Sequence, residues 1–281
     1  MEKRVLDEKM IEEFRKYLIS EEKSENTVKK YCRDALKFAE YAGGKELTKE
    51  DAIEYKNKMK TSGSAVRSVN SVIASLNSLF VFLGWHDMKL KMIKIQQQIF
   101  RAEEKELSRA EYERLVYTAL TDNEDRLSLM IQTICGTGIR VSELQFITVE
   151  AARRGYATVD CKGKTREVFI VCALQNKLLL YAAEHGIKTG SIFITKYGNP
   201  VDRSNVWRGM KSLCIKAGVN PEKVFPHNLR HLFARVFYDI DNDLARLADI
   251  LGHSSINTTR IYIMSTGSEH RRCMENMHLI I

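Results

Sequence analysis

Apolar residues recur every three or four positions through the first hundred residues, the period of helices that turn one face to a core. Met10, Ile11, Phe14, Tyr17 and Leu18 make one stripe. Val28, Tyr31, Ala35, Phe38 and Tyr41 make a second that stops at Gly43-Gly44. Thr48 and Asp51 have the chemistry of a helix start and open a third helix. A fourth spans about residues 64–83, with Val69, Val72, Ile73, Leu76, Leu79, Phe80 and Leu83 inward and Arg67, Ser68, Ser71, Ser75 and Ser78 outward. That outward face is small and polar, so it suits the close approach of a phosphate backbone or of another helix.

Between Ile95 and Leu107 the stretch IQQQIFRAEEKEL loses its periodicity and marks a linker. The expected organisation is a helical domain over 1–99, a linker over 100–107 and a second domain over 108–281. In the second domain Ser108 and Glu111 form a capping box for a helix reaching Leu120. Another helix runs from about Glu124 to Cys135 and closes at Gly136-Thr137-Gly138. Tyr156 to Asp160 and Glu167 to Val171 read as the strands of a hairpin, joined by the basic turn Cys161-Lys162-Gly163-Lys164-Thr165-Arg166. The rest is mostly helical, so the expected class is mainly α with a small antiparallel β-sheet.

Composition narrows the function classes. The chain has 281 residues, 44% hydrophobic and 28% charged, and no apolar run of the ~18 residues that a membrane span needs. The start, MEKRVLDEKM, has charges where a signal peptide would be apolar, so a cytoplasmic location is expected. Cys32, Cys135, Cys161, Cys172, Cys214 and Cys273 contain no C-x-x-C pair and read as free thiols. His227 and His231 lie four apart but have no Glu between them and no third ligand cluster, so no metal is expected. Net charge is +8. Residues 55–100 hold seven cations (Lys56, Lys58, Lys60, Arg67, Lys89, Lys91 and Lys94) against one acid, Asp87. A solvated face would explain such a run, and so would an anionic partner.

Four short patterns carry candidate chemistry, each unremarkable alone. In Thr137-Gly138-Ile139-Arg140-Val141-Ser142-Glu143-Leu144, Glu143 follows Arg140 by three and can orient it, or the two form an ordinary ion pair at a helix start. Lys162 occupies the hairpin turn, where a solvated lysine is commonplace. Pro226-His227-Asn228-Leu229-Arg230-His231 puts His227 and Arg230 on one face of a helix that Pro226 helps start. In Leu251-Gly252-His253-Ser254-Ser255-Ile256-Asn257-Thr258-Thr259-Arg260-Ile261-Tyr262, a straight helix would set His253 and Tyr262 on opposite faces. Convergence needs a break, which Gly252 and Ser254 or Ser255 supply.

Taken in order, these patterns resemble the tyrosine recombinase (phage integrase) family. TGIRVSEL is similar to its first arginine box, PHNLRHLFA to its His-x-x-Arg box and LGHSSINTTRIYI to its final box. The first hundred residues, including Ser24, Thr27, Tyr31, Asp34 and Phe38, resemble its SAM-like core-binding domain. The resemblance implies that Arg140, Lys162, His227, Arg230, His253 and Tyr262 fill the six catalytic positions, with Lys164 the competing lysine. Two arginines would stabilise the charge gathering on the attacked phosphate. Tyr262 would attack, His227 would take its proton, His253 would hydrogen-bond the phosphate, and the lysine would protonate the leaving 5′ oxygen. The 3′-phosphotyrosyl product keeps the phosphodiester energy, so no cofactor is expected.

The resemblance further implies a C-shaped clamp on double-stranded DNA core sites, with Lys56, Lys58, Lys60, Arg67, Ser68, Ser71, Lys164 and Arg166 as DNA contacts. It also implies a homotetramer that exchanges C-terminal tails and, for some members, an accessory excision factor. The chain starts almost at the core-binding helices, which fits the compact plan without an arm-binding domain. Turn and tail sequences point to integration and excision of a mobile element. The alternatives are Xer-type resolution of dimeric replicons, type IB topoisomerase-like relaxation, and a DNA-binding regulator without catalysis.

Overall fold

A computed structural model describes residues 4–94, 106–161, 164–263 and 267–277. The chain divides into two compact units, Met1–Gln97 and Gln98–Ile281. The first unit holds α1 (Glu8–Ser20), α2 (Glu25–Ala42), α3 (Lys49–Thr61) and α4 (Val66–Phe82). Local chemistry sets their limits. Asp7 accepts from the Met10 amide at 2.8 Å to start α1, Gly43 ends α2 at φ 60°, and Thr48 with Asp51 closes a capping box at α3. Phe14, Leu18, Phe38, Ile73, Leu76, Leu79 and Phe80 are fully buried and form the core.

Ser75 departs from the expected outward face of α4. It is buried against α2, where its hydroxyl donates to Asp34 Oδ2 at 2.8 Å, and Lys30 Nζ donates to the same Asp34 oxygen at 2.5 Å and to Ser75 Oγ at 2.9 Å. A buried carboxylate needs donors around it, and the small hydroxyl supplies one that an apolar residue could not. Lys58, Lys60, Arg67, Ser68 and Ser71 are exposed, whereas Lys56 is half-buried and donates to the Lys91 carbonyl at 3.3 Å.

The second unit continues with α5 (Arg109–Thr121), α6 (Asp125–Thr137), a short 3-10 turn (Val141–Phe146), α7 (Val149–Arg154), β1 (Tyr156–Cys161) and β2 (Lys164–Phe169). It ends with α8 (Cys172–Glu184), α9 (Arg203–Ala217), α10 (Pro226–Asp241), α11 (Leu244–Leu251), α12 (Ile256–Arg260) and α13 (Gly267–Asn276). Its core centres on Ile131, Ile134, Leu144, Val159, Leu178, Phe193 and Met210, all nearly or fully buried. Ala234, Leu247, Leu251 and Tyr262 make a small separate cluster.

The hairpin is tighter than the sequence predicts. The antiparallel register runs from Tyr156 opposite Phe169 to Cys161 opposite Lys164, which leaves only residues 162 and 163 between the strands. Arg166 therefore lies opposite Val159 in the ladder, and directly opposed residues share a sheet face. Val159 and Val168 are buried, so this face points into the unit and takes Arg166 with it. A cation is tolerated there because a buried carboxylate, Glu143, receives it.

Candidate active site

Each functional side chain sits where an element ends or begins. Gly138 stops α6 in the left-handed conformation at φ 66°, and Arg140 follows in extended backbone as the residue before the Val141–Phe146 turn. A Cβ on Gly138 would lie 2.4 Å from the Phe233 ring, so the chain reverses there only with glycine. Pro226 occupies the first position of α10 and places His227 and Arg230 in its opening turns. Gly252 ends α11 at φ 64° and Ser255 precedes α12, which is the break needed to bring His253 and Tyr262 together.

Arg230 is the largest fully buried side chain of the molecule among the described residues. Its Nη1 donates to the Gly138 carbonyl at 2.5 Å, and its Nη2 donates to the Leu251 carbonyl at 2.6 Å and meets His253 Nε2 at 2.9 Å. These bonds tie the ends of α6 and α11 to α10. Its buried Nε has no partner among the described residues, a donor left for something else to satisfy. Burial, and then the charge of Arg140, pull the guanidinium down to about 10, so it stays charged at neutral pH.

Arg140 is partly open to solvent. Its amide and Nη1 donate to the two oxygens of Glu143 at 2.8 and 2.9 Å, and its Nη2 reaches the Gly252 carbonyl only at 3.4 Å. Glu143 is buried, and Arg166 grips it from the other side with bonds of 3.0 and 2.7 Å. Burial opposes the carboxylate charge, but the Arg166 and Arg140 bonds outweigh it and hold Glu143 at about 2.

The tyrosine is held in a nest of imidazoles. Tyr262 is 5% exposed, and its hydroxyl lies 3.4 Å from Nε2 of His227. The His231 ring stacks on the Tyr262 ring at 4.1 Å between centroids, and the His253 ring stands 5.1 Å away. Burial, followed by Arg230, Arg140, Arg166 and His227, pulls His253 down to about 4, so it is neutral at physiological pH.

The fold thus brings Arg140, His227, Arg230, His253 and Tyr262 together. Lys162 lies outside the described residues, as does the side chain of Lys164. Arg166, expected among the DNA contacts, is instead drawn inward to Glu143. Two members of the site had no assigned place in the sequence reading. His231 was weighed only as a metal ligand, although its spacing of four from His227 already put both rings on one helix face. Thr259, bonded through Oγ1 to His253 Nδ1 at 2.8 Å, carried no local signal. Among the described residues no group of three His, Cys, Asp or Glu side chains could hold a metal ion.

This geometry sits on a chain whose residues 105–269 match the phage integrase family and whose residues 11–87 match the phage integrase N-terminal SAM-like domain. Tyrosine recombinase XerA of Pyrococcus furiosus is 31% identical over 100% of this chain and 98% of its own length. Tyrosine recombinase XerA of Pyrococcus horikoshii is 33% identical over 98% and 96%. Among solved structures, a lambda integrase tetramer bound to a Holliday junction superposes with a TM-score of 0.74 at 17% identity, covering 92% of this chain and 77% of that one. XerH bound to its difH substrate superposes with a TM-score of 0.69 at 21% identity, covering 88% and 78%. With both units matched in order and full-length relatives near one-third identity, the chain belongs to the phage integrase family and is a tyrosine site-specific recombinase.

Proposed function

We propose that Tyr262 is the nucleophile with which this recombinase cleaves double-stranded core sites. The observation that carries this reading is the Tyr262 hydroxyl 3.4 Å from His227 Nε2, in a pocket whose cations are Arg140 and Arg230. The tyrosine oxygen bonds to phosphorus as the bond to the 5′ oxygen breaks. The phenolic proton passes to His227, and Lys162 gives a proton to the leaving oxygen. Rejoining runs the same steps backwards from the 5′ hydroxyl of the partner strand. Arg140 and Arg230 neutralise the non-bridging oxygens, and the unpaired Nε of Arg230 supports an anion as the missing acceptor. His253 bonds the phosphate once the anion offsets the burial and the arginine charges that hold it neutral.

The exposed residues Lys58, Lys60, Arg67, Ser68 and Ser71, with Lys56 and Lys164, contact the DNA backbone and supply affinity rather than sequence choice. Four copies assemble on two core sites, each handing its tail to a neighbour. Exposed Met274 and Met277 support this, together with an apolar groove of about 380 Å³ lined by Tyr112, Cys135, Leu232, Phe233, Phe237 and Ile240. Turn and tail sequences support integration and excision of a mobile element, and an accessory excision factor is a candidate partner in that use. Resolution of dimeric replicons is the second reading, favoured by the full-length likeness to two XerA recombinases. Either use places the work with the cell's DNA in the cytoplasm.

A nicked suicide substrate resolved on a denaturing gel tests the assignment. Wild type gives a covalent protein–DNA band, and Tyr262→Phe gives none while binding the half-site with near-normal affinity. An adduct persisting in Tyr262→Phe overturns the nucleophile. Relaxation of supercoiled DNA without exchange between two sites would mark a topoisomerase instead.

A further inference from the structure

We infer that Arg166 is a positioning residue that keeps the charge of Arg140 available to the phosphate by taking up the carboxylate of Glu143. Arg140 needs two things at once, a fixed place and an unneutralised positive charge. Glu143 supplies the first and threatens the second. A buried carboxylate facing a single arginine would draw it into a two-bonded pair, and an incoming phosphate would then meet a neutral couple.

The hydrogen-bond pattern shows how this is avoided. A carboxylate has about four in-plane acceptor positions. Arg166 fills two, one on each oxygen, and the Arg140 amide fills a third. Only one guanidinium bond from Arg140 remains, through Nη1. Among the described residues its Nη2 has just the long contact to the Gly252 carbonyl, and its side chain is 36% exposed while that of Arg166 is 14% exposed. The outer arginine is left open and the inner one is spent.

Arg166 also fixes the far wall of the site. Its Nε donates to the Ile250 carbonyl at 3.3 Å, and its Cδ lies where a Cβ on Gly252 would be 2.6 Å away. Gly252 at φ 64° is therefore required both for the turn and for the passage of this side chain. The next residue is His253. One side chain thus joins β2, the Arg140 turn and the end of α11.

The test separates positioning from simple support of the fold by changing the substrate and the carboxylate. On ordinary DNA, Arg166→Gln slows adduct formation by about 10²-fold, the scale on which a phosphate-stabilising group is lost. Adding Glu143→Gln to Arg166→Gln removes the charge that captures Arg140 and restores about tenfold of that loss. A methylphosphonate at the scissile position carries no negative charge and needs less from Arg140. On it, Arg166→Gln approaches wild type. Arg166→Lys keeps a cation but grips one oxygen, so it falls between wild type and Arg166→Gln and shows the same recovery on methylphosphonate. Should Arg166→Gln lose half-site binding through misfolding, the Lys variant and the double variant carry the comparison. Wild-type rates in Arg166→Gln, or a deficit that neither Glu143→Gln nor methylphosphonate reduces, overturn the inference.

Discussion

Nε2 of His253 stands 2.9 Å from Nη2 of Arg230, and because a guanidinium only donates, that ring nitrogen must hold the lone pair. The hydrogen is then on Nδ1, donated to the buried Thr259 Oγ1 at 2.8 Å. Arg230 thereby selects the tautomer of His253, and Thr259 holds the ring in place by accepting its one hydrogen.

Thr259→Val keeps the shape and removes the acceptor, leaving a half-buried N–H without its partner. Such a loss costs about 1–3 kcal/mol. The expected result is adduct formation slower by roughly tenfold or more with half-site affinity unchanged. Wild-type kinetics in Thr259→Val would show that the Thr259 bond is not needed to hold the His253 ring.

The site is acid-labile, and the sign follows from the two shifted groups. His253 is held at about 4 in the folded chain against 6.5 ordinarily. Between these values the unfolded chain binds a proton that the native site refuses, so stability falls as pH drops from 6.5 toward 4. Glu143, held at about 2 against 4.5, adds a loss at lower pH as protonation removes its bonds to both arginines. Calorimetry from pH 7 to 4.5 should show the transition temperature falling, with a shallower fall in His253→Gln. Equal slopes in the two proteins would dismiss His253 as the source.

The elements that local chemistry determines were legible in the sequence. The stripes of α1 and α2, the Gly43 stop, the capping boxes at Thr48 and Ser108, and the break between His253 and Tyr262 each depend on residues within one turn of one another. The burial of Ser75 and the inward course of Arg166 were not legible. Each is decided by a charged partner far along the chain, Asp34 for Ser75 and Glu143 for Arg166, and no local pattern records such a meeting. Composition even misled at 161–166, where basic residues read as a turn although the ladder continues through Lys164. The candidate site was visible only as an ordered group, since Arg230 meets the Gly138 and Leu251 carbonyls and the His253 ring, contacts that leave no sequence trace.

The choice between Lys162 and Lys164 as proton donor is open to a chemical test. A sulfur in place of the leaving 5′ oxygen departs as a thiolate and needs no proton. This substrate should restore cleavage to Lys162→Ala and leave Arg140→Ala inactive, because the arginine acts on the non-bridging oxygens. Restoration of Lys164→Ala with Lys162→Ala still dead would transfer the role to Lys164.

The tail offers a test of assembly that is independent of the chemistry. Met274 and Met277 are 61% and 55% exposed, and Leu279, Ile280 and Ile281 follow them. An apolar segment in water is costly and self-associating unless a surface covers it. The groove beside α10, with Ile240 80% exposed and Val236 40% exposed, is apolar surface of matching character. If each tail covers a neighbour's groove, the contact forms only when two copies lie side by side on DNA, so its energy is seen as cooperativity. Removing residues 273–281 should then leave half-site binding unchanged and abolish cooperative filling of the full site in gel shifts. Ile240→Asp, a change on the groove rather than the tail, should give the same loss in a full-length chain. Undiminished cooperativity in the truncated protein rules out the exchanged tail.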